Sequence, residues 1–261
     1  MQLLLDTSKI YKNDKSFILE LINIDLTVKK RQTALGVYWK IIFSSIAIIV
    51  LGVVFNKGFY RADNYIVYLA ANYFMWQFIN DTISDSPRLF EQNKNLLLNN
   101  NVSPIILNIR NFLINLYIYL FTTIILLTLT IYFDTFNTEI ILSIFALALI
   151  LMNTYLVSIS VAYLQSKFSD VESLVRLFLL LLFFLTPIIW SENILQDTAK
   201  YIIQFNPLYH FFKIFNQPIL NAELGYKYFF SLCICVIITF INLIIANKIF
   251  SNLSKKVKNY L

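Results

Sequence analysis

Tyr65, Tyr68, Asn72, Trp76 and Asn80 follow one another at intervals of three or four residues, so in a helix they share one face. Phenol and amide groups at that spacing can exchange hydrogen bonds with a hydroxyl-rich ligand, while the rings offer flat apolar surfaces. Asn108, Asn111 and Asn115, followed by Tyr119 and Thr122, repeat the pattern further along the chain. Each stripe has a plainer reading. The first would equally serve packing between helices, and the second would equally serve as the wet entrance to a helix.

The residues of ordinary catalysis are missing. His210 is the single histidine, and Cys233 and Cys235 stand about 200° apart around a helix, too far for a shared disulfide or metal. Only four glycines occur, Gly36, Gly52, Gly58 and Gly225, and none belongs to a glycine-rich nucleotide loop. Nor do the apolar segments carry the acidic or basic residues that an ion-coupled transporter places inside the membrane; Asp81, Glu139 and Lys248 fall near segment ends. A chain that moves something uphill with these residues needs its energy from another subunit, and no cofactor of its own is expected.

The elements that must position the stripes are membrane helices. Of 261 residues, 58% are hydrophobic and 14% charged, against about 25% charged in soluble domains, and the mean hydropathy is +0.67. The net charge of +6 reports topology rather than nucleic acid, because the cations cluster at segment ends. The fold class expected is an all-α polytopic membrane protein with six transmembrane helices, near residues 41–55, 64–83, 107–133, 139–163, 177–190 and 228–250. Before them, Phe17, Ile18, Leu21, Ile22, Leu26 and Val28 recur at helical spacing among charges, which describes an amphipathic helix at the membrane interface. Lys29, Lys30 and Arg31 then give way through Tyr38 and Trp39 to the first uncharged run, as where a helix enters a bilayer.

Segment 84–104 is too polar for lipid and reads as a cytoplasmic loop with a short helix, and 165–176 as a second cytoplasmic loop. Segment 191–227 is longer than a connection needs, and its apolar part, 208–215, is too short to cross, which suggests re-entrant or interfacial helices between spans five and six. The amino-terminal segment, these two loops and the tail hold 13 of the 21 Lys and Arg residues, so both termini are expected on the cytoplasmic side. The chain divides into a cytoplasmic segment 1–38, a six-helix membrane domain 39–250 and a basic tail 251–261 containing Lys255, Lys256 and Lys258.

Several short motifs occur in a recognisable order. Lys29, Lys30 and Arg31 lead into Thr33-Ala34-Leu35-Gly36-Val37-Tyr38-Trp39. Trp76-Gln77-Phe78, Asn93-Lys94-Asn95-Leu96 with Pro104, Phe168-Ser169-Asp170-Val171, Thr186-Pro187-Ile188 and Phe205-Asn206-Pro207-Leu208 follow. Together they resemble the membrane subunits of ABC-2 type polysaccharide exporters. Departures are Asn72 and Met75, where that family commonly has Gly and Pro, and Ser169 in place of an Arg.

The resemblance implies a permease, not an enzyme, in a bacterial cytoplasmic (inner) membrane, working as a homodimer with two ATPase subunits that use ATP and Mg. The substrate implied is a lipid-linked polysaccharide: O-antigen, capsule or teichoic acid on a polyprenyl diphosphate. Under it, Tyr38, Trp39, Tyr65, Tyr68, Asn72, Trp76, Asn108, Asn111 and Asn115 become the substrate path. Glu91, Gln92, Asn93, Lys94, Phe168 and Asp170 become the ATPase contact, and Lys29, Lys30 and Arg31 touch lipid headgroups or the diphosphate. The alternatives are an ABC-2 permease for a drug or lipid, and an integral-membrane enzyme acting on polyprenyl lipids, which should show acidic or histidine clusters at a membrane boundary.

Overall fold

The computed structural model describes residues 2–55, 64–99, 102–192, 197–222, 224–254 and 257. Among them no strand occurs. The helices are α1 (Gln2–Asn13), α2 (Lys15–Gln32), α3 (Tyr38–Phe55), α4 (Tyr65–Asp85), the 3-10 turn η1 (Ser86–Arg88), α5 (Leu89–Gln92), α6 (Lys94–Asn99), α7 (Pro104–Tyr132), α8 (Ile140–Lys167), α9 (Val171–Leu185), α10 (Asp197–Gln204), α11 (Pro207–Ile219) and α12 (Tyr226–Leu253). The expected exit loop 56–63 with Gly58, Asn100 and Asn101 of the asparagine run, and the tail lysines Lys255, Lys256 and Lys258 lie outside the described residues.

Among the described residues four helices, α3, α7, α8 and α12, are long and apolar enough to cross a membrane. The protein is membrane-embedded through them. The stretches expected as the second and fifth spans form α4 and α9. α4 is long enough at 21 residues but carries Asn72, Gln77, Asn80 and Asp81. α9 has 15 residues, about 22 Å of helix, short of a hydrocarbon core of about 30 Å. The reason is local: a residue before proline avoids the α conformation, and Thr186, ahead of Pro187, is extended at φ −96°, ψ 136°. The fifth segment, expected to end near Pro187 and to extend back through Leu174, is shifted towards its start. Its helix begins earlier and stops at Leu185, and 186–190 is not helical. Most of the supposed loop 165–176 is helix as well, leaving only Phe168–Asp170 between α8 and α9.

α4 packs against α3, α7, α8, α9 and α11, and α8 against α12 and α11. The core has two halves. One surrounds α4 and α11, with Phe74, Met75, Phe212 and Ile214 among its buried members. The other joins α1 and α2 to the ends of α7, α8 and α12 through Leu3, Ile18, Tyr155, Tyr163 and Phe250.

The amino-terminal segment is two helices broken at Asp14, not one. Of the apolar stripe expected of it, α2 buries Ile18, Leu21 and Ile22, half-buries Phe17 and Leu26, and leaves Val28 exposed. α1 closes the end of the bundle: the Leu3 amide donates to Asn247 Oδ1 at 2.9 Å, and the Thr7 and Tyr155 hydroxyls lie 3.2 Å apart. Gly36 has φ +57°, and a Cβ there would stand 3.1 Å from the Lys30 Cα. This left-handed turn carries the chain between α2 and α3 against the last turns of α2, and a side chain at Gly36 would be both strained and obstructed.

Candidate functional site

Most faces of α4 are covered. Tyr65, Tyr68, Asn72 and Trp76 are all buried, and so are Val67, Leu69 and Ile79 on the other faces. The part of α4 left partly open runs through Tyr73, Gln77, Asn80, Asp81 and Ser84, a stripe at helical spacing displaced from the one read in the sequence. It floors a groove of about 410 Å³ between α4 and α9, with Trp76, Phe183 and Arg176 along its sides. The Trp76 and Phe183 ring centres are 5.5 Å apart. Nearby, Lys40 of α3 donates to Asp81 Oδ2 at 2.7 Å. The groove lining is mixed: Gln77, Asn80, Ser84 and Arg176 stand beside Tyr73, Trp76, Leu179, Leu180 and Phe183, and its amides and guanidinium are better served by water, a ligand or another protein surface than by lipid tails.

At one end of that helix the tyrosines have a different task. The Tyr65 hydroxyl donates to the Ile189 carbonyl at 2.8 Å, and the Tyr68 hydroxyl reaches the carbonyls of Pro187 at 2.5 Å and Trp190 at 2.9 Å. The end of α9 and the proline leave backbone acceptors without helical partners, and the two phenols satisfy them. Asn206, whose side chain also caps α11 by accepting from the Leu208 amide, donates to Thr186 Oγ1 at 2.8 Å. Asn72 accepts from Asn216 of α11. His210 is likewise engaged, with Nδ1 3.1 Å from Ser231 Oγ and Nε2 2.8 Å from the Gln204 carbonyl.

The asparagines of α7 point between helices. Asn108 donates to Ser158 Oγ of α8 at 2.9 Å, Asn111 to the Thr82 carbonyl of α4 at 3.1 Å, and Asn115 to Asn111 Oδ1 at 3.3 Å. Ser86 and Ser158 hydroxyls, 2.7 Å apart, complete a buried polar junction of α4, α7 and α8.

Tyr38 and Trp39 lie at the start of α3 and are exposed. The Tyr38 hydroxyl is 3.2 Å from that of Tyr117, and Trp39 stacks on Phe43. A cavity of about 350 Å³ opens here, lined by Lys30, Gly36, Tyr38 and Tyr117 among others. Lys29, Lys30 and Arg31 occupy the last turn of α2, exposed, where cations also suit the negative end of the helix dipole.

Glu91, Gln92 and Lys94 are exposed and Asn93 partly so, on two short helices anchored by the buried Leu89, Phe90 and Leu97. Phe90 meets Tyr163 of α8 edge to face at 5.2 Å. Phe168 and Asp170 are exposed on the other short connection. The two connections are joined: Arg88 Nη2 lies 2.6 Å from Glu172 Oε1, and Arg176 pairs with the same oxygen at 2.9 Å. The hydrogen bond and charge of Glu172 hold the Arg88 guanidinium above its usual pKa. Ser169, standing where the resembling family has Arg, is bypassed by this pairing.

Three features escaped the sequence reading. Arg110, inside the third apolar segment, pairs with Asp25 of α2 at 3.2 Å; an arginine one turn into a span is the signal that was available. The Lys40–Asp81 pair and the open Tyr73–Gln77–Ser84 stripe depend on which faces neighbouring helices cover, and local periodicity does not report that.

Two proteins of Klebsiella pneumoniae, each described as an O-antigen export system permease protein RfbA, are similar to this chain. One is 26% identical over 234 residues, covering 87% of this chain and 89% of that protein. The other is 25% identical over 235 residues, with the same coverage of each. The family model for the ABC-2 type transporter matches residues 18–220, from the amphipathic α2 through the groove to the end of α11, and the chain belongs to that family.

Proposed function

We propose that the chain is the permease subunit of an ABC exporter that carries a lipid-linked polysaccharide across a bacterial cytoplasmic membrane, as one of two copies driven by two separate ATPase subunits. The observation that carries this reading is the polar, aromatic groove between α4 and α9. Its Gln77, Asn80 and Arg176 side chains are costly against lipid although Leu179, Leu180 and Phe183 flank them; the groove is open along one side of the protomer, and a second copy would enclose it. Tyr73, Trp76, Gln77 and Asn80 would then offer a sliding sugar chain rings and hydrogen bonds of moderate strength. The family membership and the O-antigen export relatives support the same substrate class.

In this reading Lys29, Lys30 and Arg31, with Tyr38 and Trp39 beside the cavity at the end of α2, meet the diphosphate and the lipid headgroups at the entrance. Glu91, Gln92, Asn93 and Lys94, with Phe168 and Asp170, form the ATPase contact, and the short α5–α6 unit passes its movement into the bundle. ATP and Mg belong to the ATPase.

The test compares inserted protein with surface polysaccharide. Gln77→Leu and Asn80→Leu each remove an amide from the partly open stripe, a loss of about 1 kcal/mol per hydrogen bond to a sugar. Export should fall several-fold in both while the amount of membrane-inserted protein holds. Export that falls only in step with lost protein would assign these residues to packing and reject the groove as the path.

A further inference from the structure

The end of the bundle away from α1 holds a second cavity, of about 210 Å³, between α4, α11 and the extended segment after α9. By the same measure one water needs about 10–15 Å³, so the space holds many waters and has room for a small ring. Tyr68, Tyr209 and Phe212 supply aromatic surface, and Lys213, Asn216 and Gln217 supply polar groups. Two of those groups lack protein partners: Asn216 Oδ1 and Gln217 Oε1 are buried without a hydrogen bond. An unpaired buried acceptor costs about 1–3 kcal/mol, so the cavity is incomplete as it stands.

The charges decide what completes it. Lys213, with its side chain 9% exposed, lies 3.7 Å from Glu192 and donates to the Tyr209 hydroxyl at 2.9 Å; Tyr209 in turn donates to Glu192. The cation is thus neutralised locally. A phosphate or carboxylate would meet the charge of Glu192, and Lys213, already paired with it, supplies no net positive charge. An apolar ring would leave both oxygens stranded. A neutral polyol satisfies them, because each hydroxyl donates as well as accepts and the ring faces suit the aromatic walls.

We infer that this cavity is a binding subsite for one neutral pyranose ring, with Asn216 and Gln217 accepting from its hydroxyls. That the ring is a unit of the exported polymer rests on the proposed function; the ligand chemistry rests on the cavity alone.

The full-length chain in lipid nanodiscs is examined by saturation-transfer NMR with methyl glucopyranoside, methyl galactopyranoside, methyl mannopyranoside, cyclohexanol and inorganic phosphate. Saturable, millimolar binding of at least one pyranoside is expected, weakened about tenfold or more by Asn216→Leu and by Gln217→Leu. The second variant is included because Asn216 also pairs with Asn72, whereas Gln217 is only half buried. Equal binding of cyclohexanol, binding of phosphate alone, or no pyranoside binding, which marks a merely hydrated cavity, would each overturn the subsite. Deleting the gene and measuring surface polysaccharide separates the two readings. Lost export without pyranoside binding leaves the permease and removes the subsite, and binding with undiminished surface polymer leaves the subsite and removes the exporter.

Discussion

α4 and α9 lie side by side and invert the usual relation between composition and burial. α4 carries Asn72, Gln77, Asn80 and Asp81, the last three on its partly open stripe, yet 14 of its residues are buried, Asn72 among them. α9 is nearly all Leu and Phe after its first turns, yet only Leu179 is buried. In water this would be a misfolded pair. In a bilayer it is sensible, because lipid tails solvate leucine as well as a protein core does, whereas amides must find partners inside the bundle. The polar helix is therefore the pillar. The apolar one is a panel, held by Trp76 against Phe183, by the tyrosine bonds beyond its end and by Arg88 at its start.

The contrast breaks most visibly through volume. Phe74 is 1% exposed on α4, and Phe74→Ala should cost about 3–5 kcal/mol, lowering the thermal midpoint and the yield of inserted protein. Phe184, 66% exposed on α9, should change stability by less than about 0.5 kcal/mol when truncated, since lipid replaces the lost ring. Equal losses, measured by melting both variants in the same lipid, would mean that α9 is as tightly packed as α4.

How much of this was legible beforehand depends on range. The amphipathic run Ile18–Leu21–Ile22, the helix-ending Thr186–Pro187 pair and the polar stripe of α4 are written in neighbouring residues, and each has a local physical signature. The stripe's partners are not. Tyr68 meets Pro187 and Trp190, Asn72 meets Asn216, and Asp25 meets Arg110, pairings more than 80 residues apart that no periodicity encodes. A stripe of Tyr and Asn looks the same whether it holds a ligand or another helix. The separation of α1 from α2 at Asp14 was equally hidden, because neither a proline nor a glycine marks the break.

A smaller effect is expected where panel and pillar are joined. Tyr68→Phe leaves the carbonyls of Pro187 and Trp190 without that donor, at a cost of about 1–3 kcal/mol, whereas Tyr65→Phe removes a single bond to Ile189 and should cost less. The two are separable by labelling. A cysteine at Ile188, buried in the native chain, should react with a thiol reagent several-fold faster in the Tyr68→Phe background than in Tyr65→Phe. Equal rates would show that the extended segment is held by Asn206 and packing, not by the phenol of the pillar.

The smallest change in stability, and the most informative for mechanism, should come from the other end of α9. The Arg88 side chain is half exposed, and pairs of this kind add little to stability because water screens them and ordering two long side chains has an entropic cost. Its position matters more than its strength. Arg88 directly precedes α5, in the first short connection, and Glu172 stands in the first turn of α9, so the pair links the proposed ATPase contact to the mostly exposed α9. Arg88→Gln and Glu172→Gln should leave melting unchanged and each reduce export per inserted molecule. If the pair acts as a unit, the double variant should be no worse than the poorer single one, since the second substitution removes nothing that remains. Export losses that multiply in the double variant would instead show two residues acting separately, Glu172 through its other partner Arg176, and the panel would have to be driven from elsewhere.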